Sequence, residues 1–186
     1  KRSSAVLATG ALLTFGPGSA TAAGEPVPTV LPTGGQIAAG SVGISSSGTR
    51  MDVTQSSQNA IVNWASFNVG SQAHVNFAQP DASAVILNRV LGGEASAIFG
   101  RITANGNVFL TNPSGILFAP GAQVDVGGLV ASSLGLSDAN FLAGKYHFEK
   151  LGAAGAVTNQ GSINAARGGY VALIAPQVSN TGTITA

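Results

Sequence analysis

A chain of 186 residues is long enough for one well-buried domain and short for two. Only 8% of its residues are charged and the formal net charge is +1. That leaves no basic stripe for nucleic acid and lacks the Lys- and Glu-rich character of a disordered tail. Cysteine is absent, which excludes disulfides, thiolate catalysis and Cys-ligated zinc, and suits export through an oxidising compartment.

The chain opens with Lys1-Arg2 and an apolar run from Ala5 to Phe15, broken only by Thr9, Gly10 and Thr14. Gly16, Pro17 and Gly18 end it, and Ala20-Thr21-Ala22 has the form of a signal-peptidase site with Ala20 and Ala22 as its small residues. The run is too short to span a bilayer. Residues 1–22 therefore read as the later part of a secretory signal that begins before Lys1, which implies the Sec machinery and no stable membrane insertion.

Residues 23–34 carry Pro26, Pro28 and Pro32 and look extended. From Gly35 the pattern is strand-like: Ile37, then Val42 and Ile44, with Ser45-Ser46-Ser47-Gly48 read as a turn. Met51 and Val53 alternate with polar neighbours. Ile61 to Val69 holds the only Trp, within Asn63-Trp64-Ala65-Ser66-Phe67-Asn68-Val69-Gly70. Trp64 and Phe67 read better as a buried anchor in an early coil than as an exposed patch. Val75 and Phe77 form another alternating pair, and Val85 to Val90 is a denser apolar run carrying Asn88-Arg89. No window of a dozen residues has helical periodicity, and the best helix candidate is Leu134 to Phe141.

The most specific stretch is Asn107 to Ile116. Val108 and Leu110 point one way, Phe109 and Thr111 the other, and the strand stops at Asn112-Pro113-Ser114-Gly115. Asn112 accepts backbone hydrogen bonds at the first turn position, Pro113 pre-sets φ at the second and Gly115 closes the fourth. Ile116 resumes the apolar pattern. Near the end, Val157-Thr158-Asn159-Gln160-Gly161-Ser162-Ile163 returns 21 residues later as Val178-Ser179-Asn180-Thr181-Gly182-Thr183-Ile184. The spacing from Ile102 to Val124 is 22. A period near 20 in a strand-and-turn chain suits one coil of a parallel β-helix. The Ile and Val positions then face the core, and Asn159-x-Gly161 and Asn180-x-Gly182 make bends at which Gly supplies a positive φ. Stacked Asn side chains are expected to bond one another. Some six or seven coils at about 4.8 Å make a rod roughly 30 Å tall. The repeat stops in mid-pattern at Ala186, so the reading expects the chain to continue as further coils.

The acidic residues lie scattered, and Asp52, Asp81 and Asp125 read as solvated turn carboxylates rather than a lyase or hydrolase cluster. His74 and His147 assemble no metal-ligand set. No phosphate loop or nucleophile elbow occurs. Lys145-Tyr146-His147-Phe148-Glu149-Lys150 reads as a solvent-facing strand or hairpin. These observations predict an all-β, non-enzymatic domain with no cofactor.

Four features together resemble the N-terminal two-partner secretion (TPS) domain of filamentous-haemagglutinin-type exoproteins. They are the signal tail, the Asn63–Gly70 segment, Asn88-Arg89-Val90, and Gly106 to Ser133. Asn112-Pro113-Ser114-Gly115-Ile116 is similar to the family's Asn-Pro-Asn-Gly-Ile hallmark, with Ser114 in place of the second Asn. The other hallmark, Asn-Pro-Asn-Leu, is absent, as in the branch of high-molecular-weight adhesins and haem-acquisition exoproteins. The resemblance implies a right-handed parallel β-helix with N-terminal capping strands and a small extra-helical hairpin. On this reading the TPS domain covers residues 23–186, with the cap at roughly 23–60 and coils at roughly 61–186. It also implies recognition in the periplasm by the POTRA domains of a TpsB-type outer-membrane transporter. Folding then starts at the surface of a Gram-negative cell. Asn112, Pro113 and Gly115 either serve recognition directly or hold the turn in register. Rival readings are an adhesive β-helix that binds host glycan or protein, and a β-helix polysaccharide lyase. A host-surface ligand would belong to the region beyond Ala186.

Overall fold

The computed structural model describes residues 25–150 and 152–186. The signal segment, with Ala20 and Ala22, lies outside the described residues. Two antiparallel strands come first, β1 (Gln36–Ala39) and β2 (Val42–Ser47). The first coil holds β3 (Arg50–Gln55) and β4 (Asn59–Trp64). The second holds β5 (His74–Ala78), β6 (Val85–Val90) and β7 (Ser96–Ile98). The third holds β8 (Arg101–Ala104), β9 (Asn107–Thr111) and β10 (Ile116–Phe118). The fourth runs through β11 (Gln123–Val126) and β12 (Gly128–Ser132), leaves the stack in an excursion containing α1 (Asp138–Leu142), and returns as β13 (Val157–Asn159). The last strands are β14 (Ser162–Ala165), β15 (Val171–Ile174), β16 (Val178–Asn180) and β17 (Thr183–Thr185).

Successive coils pair in parallel and build three sheets. One runs β1-β4-β6-β9-β12-β15, one β16-β13-β10-β7, and one β17-β14-β11-β8-β5-β3-β2. The result is a parallel β-solenoid of about six turns. At its N-terminal end β1 pairs antiparallel with β4, and β2 with β3. Parallel pairing begins with β3 against β5 at Arg50. The two spacings read from the sequence recur in the register, Ile102 on Val124 and Ile163 on Ile184, while Val124 stacks on Ile163 across the excursion.

Strand alternation divides the apolar residues between two cores. Val75, Ile102, Val124, Val108 and Leu110 fill the inside of the solenoid. Ile61, Leu87, Phe109 and Val130 form a column on the outside of the β4-β6-β9-β12 sheet. The excursion covers this column with Leu136, Phe141 and Phe148. Burial on both faces is why Val85 to Val90 lacks clean alternation.

Four local expectations change. Ser45 to Ser47 belong to β2, and the turn falls at Gly48, with φ 56°. The helix begins at Asp138, four residues later than expected, because Ser137 caps it by accepting the Asn140 N–H. Among the described residues, the excursion has its one antiparallel bridge at Gly135 and Glu149. Residues 145–150 face solvent as expected but form no extended strand, and Tyr146, still 43% exposed, and Phe148 also pack on Phe109 at 4.8 and 6.5 Å between ring centroids. Finally, Gly161 and Gly182 do not adopt positive φ. They are needed for close approach: a Cβ on Gly161 would lie 2.7 Å from the Ala122 carbonyl oxygen of the coil below.

Candidate functional site: the Asn112–Ile116 turn

β9 stops at Thr111 because the next residue turns its side chain back on the chain. The Asn112 carboxamide is fully buried and makes three hydrogen bonds. Its Nδ2 donates to the Glu94 carbonyl at 3.0 Å and to Ser96 Oγ at 2.9 Å, and its Oδ1 accepts the Ser114 N–H at 2.9 Å. The Gly115 N–H donates to the Asn112 carbonyl at 2.9 Å and closes a four-residue turn. Gly115 has φ 109°, a backbone region that strains any residue with a Cβ.

Neighbouring coils hold the turn from both sides. Ser114 Oγ donates to the Gly93 carbonyl at 2.9 Å, and the Ser96 N–H donates to the Gly115 carbonyl at 3.0 Å. On the other side Gly155 donates to the Pro113 carbonyl at 2.8 Å, and Ile116 to the Ala156 carbonyl at 3.0 Å. Pro113 is exposed, Ser114 is half-buried, and Asn112, Gly115 and Ile116 are buried. The folded turn therefore shows solvent mainly the proline ring.

The second group of sequence-singled residues lies in the rungs beneath. Trp64 and Phe67 are buried inside the solenoid and meet edge to face at 5.5 Å. Trp64 Nε1 donates to Asn88 Oδ1 at 3.0 Å, and Asn88 Nδ2 donates to the Phe109 carbonyl at 3.3 Å. The buried Asn88 carboxamide is thus bonded through both its oxygen and its nitrogen. Asn68 Oδ1 accepts the Ala97 N–H at 2.8 Å, and the Gly70 N–H reaches the Val30 carbonyl at 2.9 Å. Arg89 stacks beside Thr111 on the outer face. It donates to Asn63 Oδ1 at 3.2 Å and to the Leu136 carbonyl at 2.8 Å, and it pairs with Asp138. Arg89 thereby pins the excursion to the sheet.

The repeat turns occupy a different corner. Asn159 Nδ2 donates to Asn180 Oδ1 at 2.8 Å across the rung, and Asn159 Oδ1 accepts the Gly161 N–H at 3.1 Å. Sequence reasoning did not find Ser96, Gly155 or the carbonyls of Gly93 and Glu94. Their role comes from stacking, and no local pattern marks it.

The carboxylates are engaged where they stand. Asp52 and Asp125 share one outward column of the β3-β5-β8-β11 sheet, separated by Asn76 and Thr103. Three rung steps put them about 14 Å apart, beyond the reach of a paired acid and base. The Arg50 guanidinium, then Asn76, hold the Asp52 carboxyl below its ordinary range. Asp81 is lowered by Ser83 within its own turn and by Gln58 of the neighbouring coil. Burial, followed by the charges of Arg50 and Arg101, pushes the His74 imidazole down. Among the described residues no His, Asp and Glu group is placed to hold a metal.

The TPS secretion domain family matches residues 29–186, which is nearly the whole described solenoid. This chain belongs to that family. The TPS domain is similar to the crystal structure of the HMW1 secretion domain from Haemophilus influenzae. The TM-score is 0.79 and the identity 32%, over 82% of this chain and 41% of that one. It is also 42% identical over 103 residues to a heme/hemopexin-binding protein of Haemophilus influenzae. A second protein of that description is 41% identical over 101 residues. These stretches take in 55% and 54% of this chain and 11% of each relative. The TPS domain therefore belongs to a TpsA-type exoprotein, a class secreted by Gram-negative bacteria.

Proposed function

We propose that this TPS domain is the export signal of its exoprotein. The Sec machinery carries the chain across the inner membrane. The POTRA domains of a TpsB-type outer-membrane transporter recognise it in the periplasm, and its folding outside nucleates the coils that follow. The family match over residues 29–186 carries this reading. The physical chemistry supports it: an unfolded, weakly charged, β-prone chain offers extended segments for a partner's sheet edge, and coil stacking outside opposes return. Because Asn112 is buried once folded, any contact it makes with the transporter belongs to the unfolded chain, whereas Pro113 is presented in both states. In this reading the domain is a secretion device, not an enzyme.

The test is secretion of residues 1–186 with a full signal sequence, in cells with and without the partner transporter. Appearance in the medium only with the transporter, abolished by Pro113→Ala in a protein that still folds, supports the proposal. Export that ignores the transporter sinks it.

The relatives favour a role for the whole exoprotein in haem acquisition, carried by regions outside this domain. Co-sedimentation of the secreted full-length exoprotein with haem-loaded hemopexin tests that. Retention of hemopexin by the isolated domain alone would contradict the assignment to other regions.

A further inference from the structure

The corner between β8 and β9 consists of Asn105 and Gly106 alone, since β8 ends at Ala104 and β9 begins at Asn107. Asn105 is exposed and Gly106 is buried. Stacking dictates both residue types. The Asn105 carboxamide pairs with the neighbouring coil as a peptide group would. Its Oδ1 accepts the Gln79 N–H at 2.7 Å, and its Nδ2 donates to the Gln79 carbonyl at 2.8 Å. A Cβ on Gly106 would lie 2.8 Å from the Ala84 carbonyl oxygen. The Gly106 N–H donates to Gln79 Oε1 at 3.1 Å, and the Gly106 carbonyl accepts the Gly127 N–H at 2.9 Å.

Asparagine followed by glycine is also the pair most prone to a spontaneous reaction in an unfolded chain. The amide nitrogen of the second residue attacks the asparagine side-chain carbonyl carbon, and glycine has no Cβ to obstruct the approach. This chain has one Asn-Gly pair, and it is this corner. Its other asparagines precede residues with a Cβ, and Asn112 precedes proline, which has no N–H. The fold therefore demands, at one corner, the dipeptide that is chemically least durable when unfolded.

We propose that Asn105–Gly106 is a self-modification site, open while the chain is unfolded and closed by Gln79 once the second and third coils stack. In the open chain the Gly106 nitrogen forms a bond to Asn105 Cγ and the Cγ–Nδ2 bond breaks. The Gly106 N–H proton passes through solvent to the departing nitrogen, which leaves as ammonia. Water then opens the cyclic imide at either of its carbonyls, giving aspartate or isoaspartate. In the folded coil Gln79 Oε1 holds the N–H of the attacking nitrogen, and the Gln79 main chain holds both ends of the carboxamide. Isoaspartate adds a main-chain carbon to this short corner, between strands fixed in register by coils on both sides. Aspartate sets a carboxylate against the Gln79 carbonyl. Both products oppose folding, so the reaction retires chains that stay unfolded. Only the place of that waiting, the periplasm, rests on the export reading; the chemistry does not, and purified protein tests it.

The purified chain is incubated at one mildly alkaline pH, in buffer and in guanidinium chloride. Tryptic peptide 102–145 is followed by mass spectrometry with electron-transfer fragmentation, which locates the modified residue and tells isoaspartate from aspartate. Conversion at Asn105 is expected in the unfolded chain. In the folded chain it should be about a hundred-fold slower, because three hydrogen bonds each slow the attack about five-fold. Gln79→Ala keeps the main-chain partners of Asn105 and frees the Gly106 N–H, so conversion in the folded variant should rise about five-fold. If that variant does not fold, refolding decides: chains aged in denaturant are diluted into buffer, and isoaspartate should collect in the fraction that a protease digests. Equal rates in the folded and unfolded chains, or conversion led by another asparagine, overturn the proposal. So does folded Gln79→Ala that converts at the unsubstituted rate, or isoaspartate chains that refold as well as unmodified ones.

Discussion

Replacing Asn112 by alanine removes three hydrogen bonds at a fully buried position. Each contributes about 1 kcal/mol net, so the loss is about 3 kcal/mol, with the Glu94 carbonyl, Ser96 Oγ and the Ser114 N–H left without that partner. For a domain of this size that lowers the thermal midpoint by about 6–12 °C. Asn112→Asp keeps an acceptor for Ser114. It loses both Nδ2 donations and sets a carboxylate against the Glu94 carbonyl, so it should be no better than alanine. Ser114→Ala removes one half-exposed bond, to the Gly93 carbonyl, and should cost below about 1 kcal/mol. Urea unfolding followed by the fluorescence of Trp64, the only tryptophan, gives all three values on one scale. If Asn112→Ala loses no more than Ser114→Ala, the hydrogen bonds do not hold the turn, and its sequence must be explained by contact with the transporter alone.

Gly161→Ala should cost about 1–3 kcal/mol, because its Cβ meets the Ala122 carbonyl at 2.7 Å. Gly48→Ala should cost about 1 kcal/mol for the opposite reason, open space but φ 56°. Asparagine separates the two causes: it should recover stability at position 48 and worsen it at 161, and the same order at both sites would contradict this account. His74 supplies a pH dependence. Its folded pKa lies below the unfolded value of 6.5, so the unfolded chain binds more protons in that window, and stability falls as pH drops below about 6.5. The lowered Asp52 and Asp81 act only nearer their unfolded value of 3.8. Between pH 7.5 and 5.5 the thermal midpoint of His74→Gln should therefore fall less than that of the unsubstituted chain. Equal falls would remove His74 as the cause.

Local chemistry made much of the protein legible. Val157 and Ile163 recur at the 21-residue coil length and stack on their repeats. The residue types of Asn112, Pro113 and Gly115 specify a turn whatever surrounds them. Such features rest on backbone preferences within a few residues, and a stacked repeat copies them from coil to coil. The solenoid alone decided what depends on side chains far apart in sequence. The Asn112 carboxamide needs the Glu94 carbonyl and Ser96, and Arg89 needs Asp138, 49 residues away. Gly161 is required by the carbonyl of another coil rather than by its own φ. Tyr146 and Phe148 alternate as a surface strand would, yet they cover Phe109, because parallel stacking leaves an apolar outer column that water would otherwise touch. Pattern records which face of a strand is apolar; only packing decides what covers it.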